Sequence, residues 1–465
     1  MSDFAPEVRP VAGVEFPVQV PVLVVGGGAA GLTAALAARE AGAEVMVLER
    51  DAVPQGSTAL SSGLVPAAGT RFQAAKGIVD TPELFARDIQ AKAKGQAEPT
   101  LVAALTATIG GTLEWLAGEH GVPFDVVEGF LYPGHSVLRM HGTPGRTGAE
   151  LMACLSTAAA RAGVDVVTDA HVHTLYVAGD RVIGVGLDRP DGTVERIGCG
   201  ALVLASSGFG GDPGLVERYI PEMASALFFG HAGNKGDALA WGEALGAATR
   251  DLGAYQGHGS VATPHNILIT WALMMEGGFQ VNADGRRFSN EHQGYSEQAR
   301  DVLVQPGGVA WCLYDEARHG LALGFPDYRD AVAAGAVQSA PDVAGLARAL
   351  GLPEKELAAT FAATCSGGAD PFGRDFSTKP PLAAPFYGIK VTGALFHTQG
   401  GLLVDAHARV LRANGAALPN IYAAGGAACG VSGSACWGYL SGNGLLAAIG
   451  LGRISGTSAA KRQES

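Results

Sequence analysis

The sequence predicts an α/β fold built on a Rossmann-like, largely parallel sheet flanked by helices. Two observations predict it. The first is "VPVLVVGGGAAGLTAALAAREAGAEVMVLERD", which reads as a buried strand over Val22 to Val25, a glycine turn, a helix from about Ala29 to Ala41, and a second strand ending at Glu49. The second is composition: 465 residues with 48% hydrophobic against 16% charged residues describe a globular chain of more than one ordinary domain. Its 68 glycines follow no G-x-y period, so they mark turns and close backbone approaches.

The glycine turn carries Gly26-x-Gly28-x-x-Gly31. Gly26 permits the tight turn, Gly28 lets the main chain approach a pyrophosphate, and Gly31 lets the helix pack closely on the strand. The helix start at Ala29 and Ala30 offers amides and the positive end of the helix dipole to phosphates. Glu49 stands where an acidic side chain accepts hydrogen bonds from ribose hydroxyls, and Arg50 follows it. These residues specify a dinucleotide, FAD or NAD. No second complete fingerprint follows, so one such cofactor is expected.

Charge and cysteine usage exclude other classes. Net charge is −12 without a block of like charge, which argues against nucleic acid and anionic membrane as partners. The six cysteines lack CxxC spacing and read as reduced thiols, so no metal site is expected. The first twenty residues lack a signal-peptide pattern and no stretch approaches an uninterrupted membrane span, which leads us to expect a cytoplasmic protein.

Further segments resemble the fumarate reductase and 3-ketosteroid dehydrogenase flavoproteins. "GSTALSSGLVPAAGT" (56–70) resembles their loop over pyrophosphate and flavin, and "ALVLASSGFGGD" (201–212) their strand and turn. "GNKGDALAWGEALGA" (233–247), "GGFQVNADGRRFSNE" (277–291) and "GALFHTQGGLLVDAHARVL" followed by "LPNIYAAGG" continue the match in order. The resemblance implies noncovalent FAD, the second loop having no histidine. It also implies a discontinuous FAD-binding domain over residues 1–250 and 385–465, with an inserted α+β cap over 251–384. The proline-rich "STKPPLAAPFYG" (377–388) is a hinge candidate, and "PDVAGLARALGLPEKELAATFAATC" (341–365) reads as two short helices.

By the same resemblance, further cofactor contacts fall on Gly56, Ser57, Thr58, Ser62, Gly63, Val172, Ser206, Gly208, Asp237, His397, Gly425, Gly426, Asn443, Gly444 and Leu445. Fumarate reductases carry arginines after "NE" in the cap and in their closing "NRLGGNA"; here those places hold Tyr295 and Tyr439. A neutral phenol does not replace the bidentate grip of a guanidinium on a carboxylate. The site is thus similar to that of the Δ4-(5α) ketosteroid dehydrogenases, which implies a cyclic ketone as substrate. Tyr439 and the Gly444 amide would hold the ketone oxygen, and Tyr295, relayed through Ser441, would remove the α-proton. A phenol is a weak base at neutrality, so an alkaline optimum is expected.

Tyr132 is a further candidate for the pocket wall, whereas Arg286 and Arg287 read as solvated hairpin charges. Two alternatives stand beside the ketone desaturase. One is an ene-reductase that binds an unsaturated acid through Arg139 or Arg146; the other is a flavin subunit that passes electrons to a partner. The electron acceptor is left open among a quinone, a carrier protein and dioxygen.

Overall fold

The computed structural model describes residues 5–366 and 370–461. Its larger sheet has nine strands among the described residues, with Glu7–Pro10, His171–Ala178, Arg181–Asp188, Val194–Leu204, Val18–Val25, Val45–Leu48 and Asp165–Val167 in spatial order. Ala417–Ala423 adds to Val194–Leu204 on a branch. The central strands run parallel, Leu23 opposite Met46 on one side and Leu202 on the other. Near-continuous apolar runs such as "VLVV" and "ALVL" suit strands covered on both faces.

The glycine turn and helix form as expected, the helix spanning Ala29–Glu40 and the first strand beginning earlier, at Val18. Ten alanine, glycine and other side chains of this helix are buried, because it is sandwiched between the sheet and the last helix, Asn443–Lys461. Small residues bring the two backbones together: a Cβ on Gly452 would lie 2.6 Å from the Ala30 carbonyl oxygen, and one on Gly456 2.0 Å from that of Ala34. Residue numbers increase together along this contact, so the helices are parallel and both N-termini face the same side.

A second sheet of seven strands follows the order Ile267–Leu268, Tyr255–Ala262, Phe386–Thr398, Val309–Asp315 and Phe279–Val281. Leu227–Phe228 and Val337–Ala340 also pair with the long strand Phe386–Thr398. That strand lies within the segment expected from 385 onward to belong to the FAD-binding domain, yet its hydrogen bonds lie in the second sheet. The helix Tyr295–Leu303 lies against this sheet over three glycines. A Cβ on Gly393 would sit 2.2 Å from the Ala299 carbonyl oxygen, one on Gly257 2.6 Å from the Ala299 methyl, and one on Gly259 2.7 Å from the Gln298 carbonyl carbon. Ser296 Oγ donates to the Tyr255 carbonyl and accepts from the Gly257 amide, which fixes the helix start and with it Tyr295.

The two short helices read from 341–365 are Val343–Leu350 and Glu354–Cys365. Arg286 is exposed as expected, but Arg287 is not a solvated charge: it pairs with Glu291 and Asp370, and Arg374 closes the cluster on Glu291 at 2.9 Å. One helix among the described residues, Pro99–Gly118, is long and apolar enough to cross a membrane, and half of it is buried inside the protein.

Candidate active site

Two adjoining cavities share Ser57, Thr58, Ser207, Gly425, Gly426 and Ala448, and so form one elongated groove. The first half is lined by Gly26, Gly28, Ala29, Ala30, Glu49, Arg50, Gly56, Val172, Ser206 and Asp237. Strand ends and helix starts explain this convergence. Gly26 turns the chain at φ 107°, where a Cβ would meet the Ala205 carbonyl oxygen at 2.4 Å. A Cβ on Gly28 would meet nothing nearer than Thr58 Oγ1 at 3.9 Å, which leaves open space for a pyrophosphate at the helix N-terminus.

Glu49 is 7% exposed, its Oε2 accepting from the Gly27 amide at 2.7 Å and its Oε1 from the Asp51 amide at 2.9 Å. Both oxygens keep a further lone pair for ribose hydroxyls. Ser206 Oγ is buried at the wall without a partner. Arg50 donates to the Gly233 carbonyl at 2.9 Å. An extended dinucleotide of the FAD type fits this groove.

Three expected contacts do not line it. Gly31 lies behind the wall, where a Cβ would be 1.8 Å from the Gly26 carbonyl oxygen, so its part is to admit the helix. Gly208 packs on Thr398, with 1.9 Å between its hypothetical Cβ and Oγ1. Asn443 is fully buried and donates to Ser432 Oγ at 3.0 Å. Gly31 thus does the packing its place in the fingerprint implies, while Gly208 and Asn443, assigned by resemblance, lie one layer behind the cavity wall.

The second half is lined by Ser62, Gly63, Tyr132, Tyr295, His397, Tyr439, Ser441, Gly444 and Leu445 from the sequence-based set, together with Gln256, His258, Trp271, Phe396 and Asp327, which it missed. Tyr295, at the start of the helix Tyr295–Leu303, and Tyr439, from the turn before the last helix, stand with ring centroids 6.1 Å apart. His258 stacks on Tyr295 at 4.8 Å, Trp271 meets its edge at 6.3 Å, and His397 meets Tyr439 at 5.6 Å. A Cβ on Gly444 would run into the His397 ring at 2.7 Å, so that amide is presented without a side chain.

Electrostatics here are set by burial and by the absence of fixed cations. No arginine or lysine lines this half among the described residues. Burial pushes the Tyr439 phenol above its ordinary range, opposed by hydrogen bonds from the Gly444 and Gly442 amides and from Tyr295. Burial, reinforced by the nearby Tyr439, pushes Tyr295 well up as well, and the Ser441 hydroxyl opposes it. Both phenols are therefore protonated at neutral pH in the substrate-free site. Burial also lowers His258 to about 3 and His397 to about 4, leaving both rings neutral.

The two arginines considered for a carboxylate are elsewhere. Arg139 is 1% exposed and gripped by Asp80 and Asp88; Arg146 is exposed and does not line the cavity, though its charge reaches Tyr132 at the wall.

The family model described as FAD binding domain matches residues 21–445. An NADH:fumarate oxidoreductase of Klebsiella pneumoniae is 30% identical over 450 residues, which is 95% of this chain and 48% of that protein, so the chain spans about half its length. A 4-oxocyclohexanecarboxylate 2-dehydrogenase of Sinomonas cyclohexanicum is 26% identical, with 87% of each chain covered. Among solved structures, the open conformation of a flavocytochrome c3 fumarate reductase superposes with a TM-score of 0.82 at 29% identity, over 98% of this chain and 80% of that one. The 3-ketosteroid-Δ4-(5α)-dehydrogenase of Rhodococcus jostii RHA1 gives 0.77 at 24% identity, over 98% and 99%, which is a likeness of fold.

Proposed function

The chain belongs to the FAD binding domain family and is an FAD-dependent oxidoreductase, and we propose that it desaturates a cyclic ketone, placing a C=C bond between the carbons α and β to the carbonyl. One observation carries this reading: two phenols, a serine hydroxyl and a bare backbone amide meet in a cavity whose described lining has no arginine or lysine. A dicarboxylate docked there would lose its hydration without gaining a counter-charge, whereas a neutral carbonyl needs only hydrogen-bond donors. The cofactor-holding unit takes residues 1–250 and 385–465 and the cap 251–384 in this reading, with the strands Leu227–Phe228 and Phe386–Thr398 crossing from the former into the second sheet.

Bound FAD would supply the acceptor for the β-hydrogen, taken as a hydride. Tyr439 Oη–H and the Gly444 N–H hold the ketone oxygen and the negative charge that develops on it, which acidifies the α C–H. A phenol with a raised pKa suits this part, because it stays protonated and donates. Tyr295 Oη receives the α-proton, with Ser441 Oγ beside it to pass the proton on. The same rise in pKa makes the Tyr295 phenolate scarce at neutrality, so the step accelerates with pH. Trp271, His258 and Phe396 keep water from the ketone face. Noncovalent retention of the cofactor, and reoxidation by a quinone, a carrier protein or dioxygen, complete the proposal.

The relative named a 4-oxocyclohexanecarboxylate 2-dehydrogenase supports this direction, while those named NADH:fumarate oxidoreductase and fumarate reductase support the ene-reductase alternative. The test is product analysis: incubate the holoprotein with saturated monocyclic and steroidal 3-ketones and an artificial electron acceptor. The proposal expects acceptor-dependent loss of two hydrogens, one from each carbon of the α,β pair. Consumption of fumarate by dye-reduced enzyme, with no ketone converted, would replace it with the ene-reductase reading.

A further inference from the structure

Asp327 is the one formally charged side chain among the described residues that line the substrate half of the groove. It lies in the first turn of the helix Pro326–Ala333, directly after Phe325. Phe325 packs 5.9 Å from Phe130, which in turn lies 4.6 Å from Tyr132, so the segment closes the cap side of the cavity. Leu268, whose strand lies against that helix, also lines the cavity. Among the described residues this segment's ring contacts run through Phe130 to Tyr132, and none joins Phe325 directly to Tyr439 or Tyr295.

No hydrogen bond or ion pair among the described residues engages its carboxylate. The neighbouring cation, Arg329, is turned aside and donates to the Leu323 carbonyl at 2.8 Å. Although Asp327 is exposed as a residue, the protein crowding its carboxyl raises it above the usual carboxylate range, and the charge of Asp330 adds to this. Water solvates the exposed carboxylate; at the mouth of an otherwise uncharged cavity its screened charge still acts on whatever enters.

Resting on the ketone reading, the structure assigns to Asp327 the selection of substrate by charge. The site takes a ring ketone that carries a hydrogen-bond donor such as a hydroxyl at the end remote from the carbonyl, and turns away one that carries a carboxylate there. Asp327 accepts from the donor, and repels the second anion across a cavity that offers it no counter-ion. For two unit charges some 6 Å apart at an effective dielectric of 40 to 80, the repulsion corresponds to a factor of roughly three to ten in affinity.

Binding and turnover are read separately on the holoprotein. Affinity is taken from the perturbation of the oxidised flavin spectrum by 4-oxocyclohexanecarboxylate, its methyl ester and 4-hydroxycyclohexanone, and turnover from bleaching of the same band. Wild type should bind the ester and the hydroxyketone more tightly than the acid. Asp327→Asn should shrink the ester-to-acid ratio about three- to tenfold at low ionic strength and much less in 1 M salt. Asp327→Lys should invert it. A structural role would not give this salt dependence. An unchanged ratio in both variants, or one indifferent to salt, overturns the assignment whether or not the ketones bleach the flavin. Discrimination that depends on Asp327 without any bleaching keeps the assignment and removes the desaturase reading. Failure of all three compounds to perturb the flavin removes both.

Discussion

Replacing Tyr439 by phenylalanine isolates the hydroxyl that, on this account, carries the enolate charge. Tyr439 is 5% exposed, its ring held against His397 at 5.6 Å and Tyr295 at 6.1 Å, so the phenyl ring keeps its place. What is lost is one donor to the ketone oxygen, with the amides of Gly442 and Gly444 left short of an acceptor in the free protein. In the ground state a neutral hydrogen bond contributes about 1 kcal/mol, roughly a fivefold weakening of ketone binding. In the transition state the same donor faces a developing anion in a dry site, where its removal costs about 3–4 kcal/mol, or roughly 100- to 1,000-fold in rate. Stopped-flow mixing of oxidised holoprotein with a saturating ketone under anaerobic conditions separates the two: the dissociation constant should move a few-fold and the limiting rate of flavin bleaching two to three orders of magnitude. A limiting rate within fivefold of wild type would refute the oxyanion role of Tyr439.

Tyr295→Phe should bind ketone almost normally while the bleaching rate falls by about 100-fold or more, since the proton acceptor is removed and the cradle is kept. Because burial raises the Tyr295 pKa, the wild-type rate should climb through pH 10 without a plateau; a flat profile from pH 6 to 10 would eliminate Tyr295 as the base. Gly31→Ala places a methyl 1.8 Å from the Gly26 carbonyl oxygen and should yield protein that loses FAD on gel filtration. Arg139→Ala leaves Asp80 and Asp88 without their shared cation and should lower the unfolding free energy by about 3–5 kcal/mol, with no selective effect on any carboxylate substrate. Burial holds His135 and His141 at about 4, below their unfolded value of about 6.5, so the unfolded chain binds more protons between those limits. Urea midpoints should therefore fall as pH drops from about 6.5 to about 4, and stay level above that window.

The turn, the helix start and Glu49 were legible because they lie within one βαβ stretch whose hydrophobic period and glycine spacing fix them together, whereas Val172, Ser206 and Asp237 on the same half of the groove came from likeness to aligned motifs. The tyrosine pair came from likeness to aligned motifs, since nothing in composition brings residue 295 to residue 439. Other parts depend on strand pairing across long separations. His258 reaches Tyr295 because its strand pairs with Phe386–Thr398 and Tyr295 heads a helix laid across both. Trp271 and Asp327 arrive from segments without any motif. Arg287 misled for the reverse reason: the hairpin turn beside it is a sound local signal, but the partners that bury it are Glu291 and the distant Asp370. Gly208 and Asn443 were assigned to the right neighbourhood and the wrong layer, because likeness of motifs encodes proximity along the chain and not which atoms face the cavity.

The central claim is that an uncharged carbonyl, and not a carboxylate, docks between Tyr439, the Gly444 amide and Tyr295. Its most direct measurement is a pair of anaerobic half-reactions on the same holoprotein, with oxidised flavin mixed with a saturated cyclic ketone and reduced flavin mixed with fumarate. The account predicts that the ketone bleaches the flavin band in a single saturable phase and that fumarate leaves the reduced spectrum unchanged. Reoxidation by fumarate with no bleaching by any ketone would contradict it.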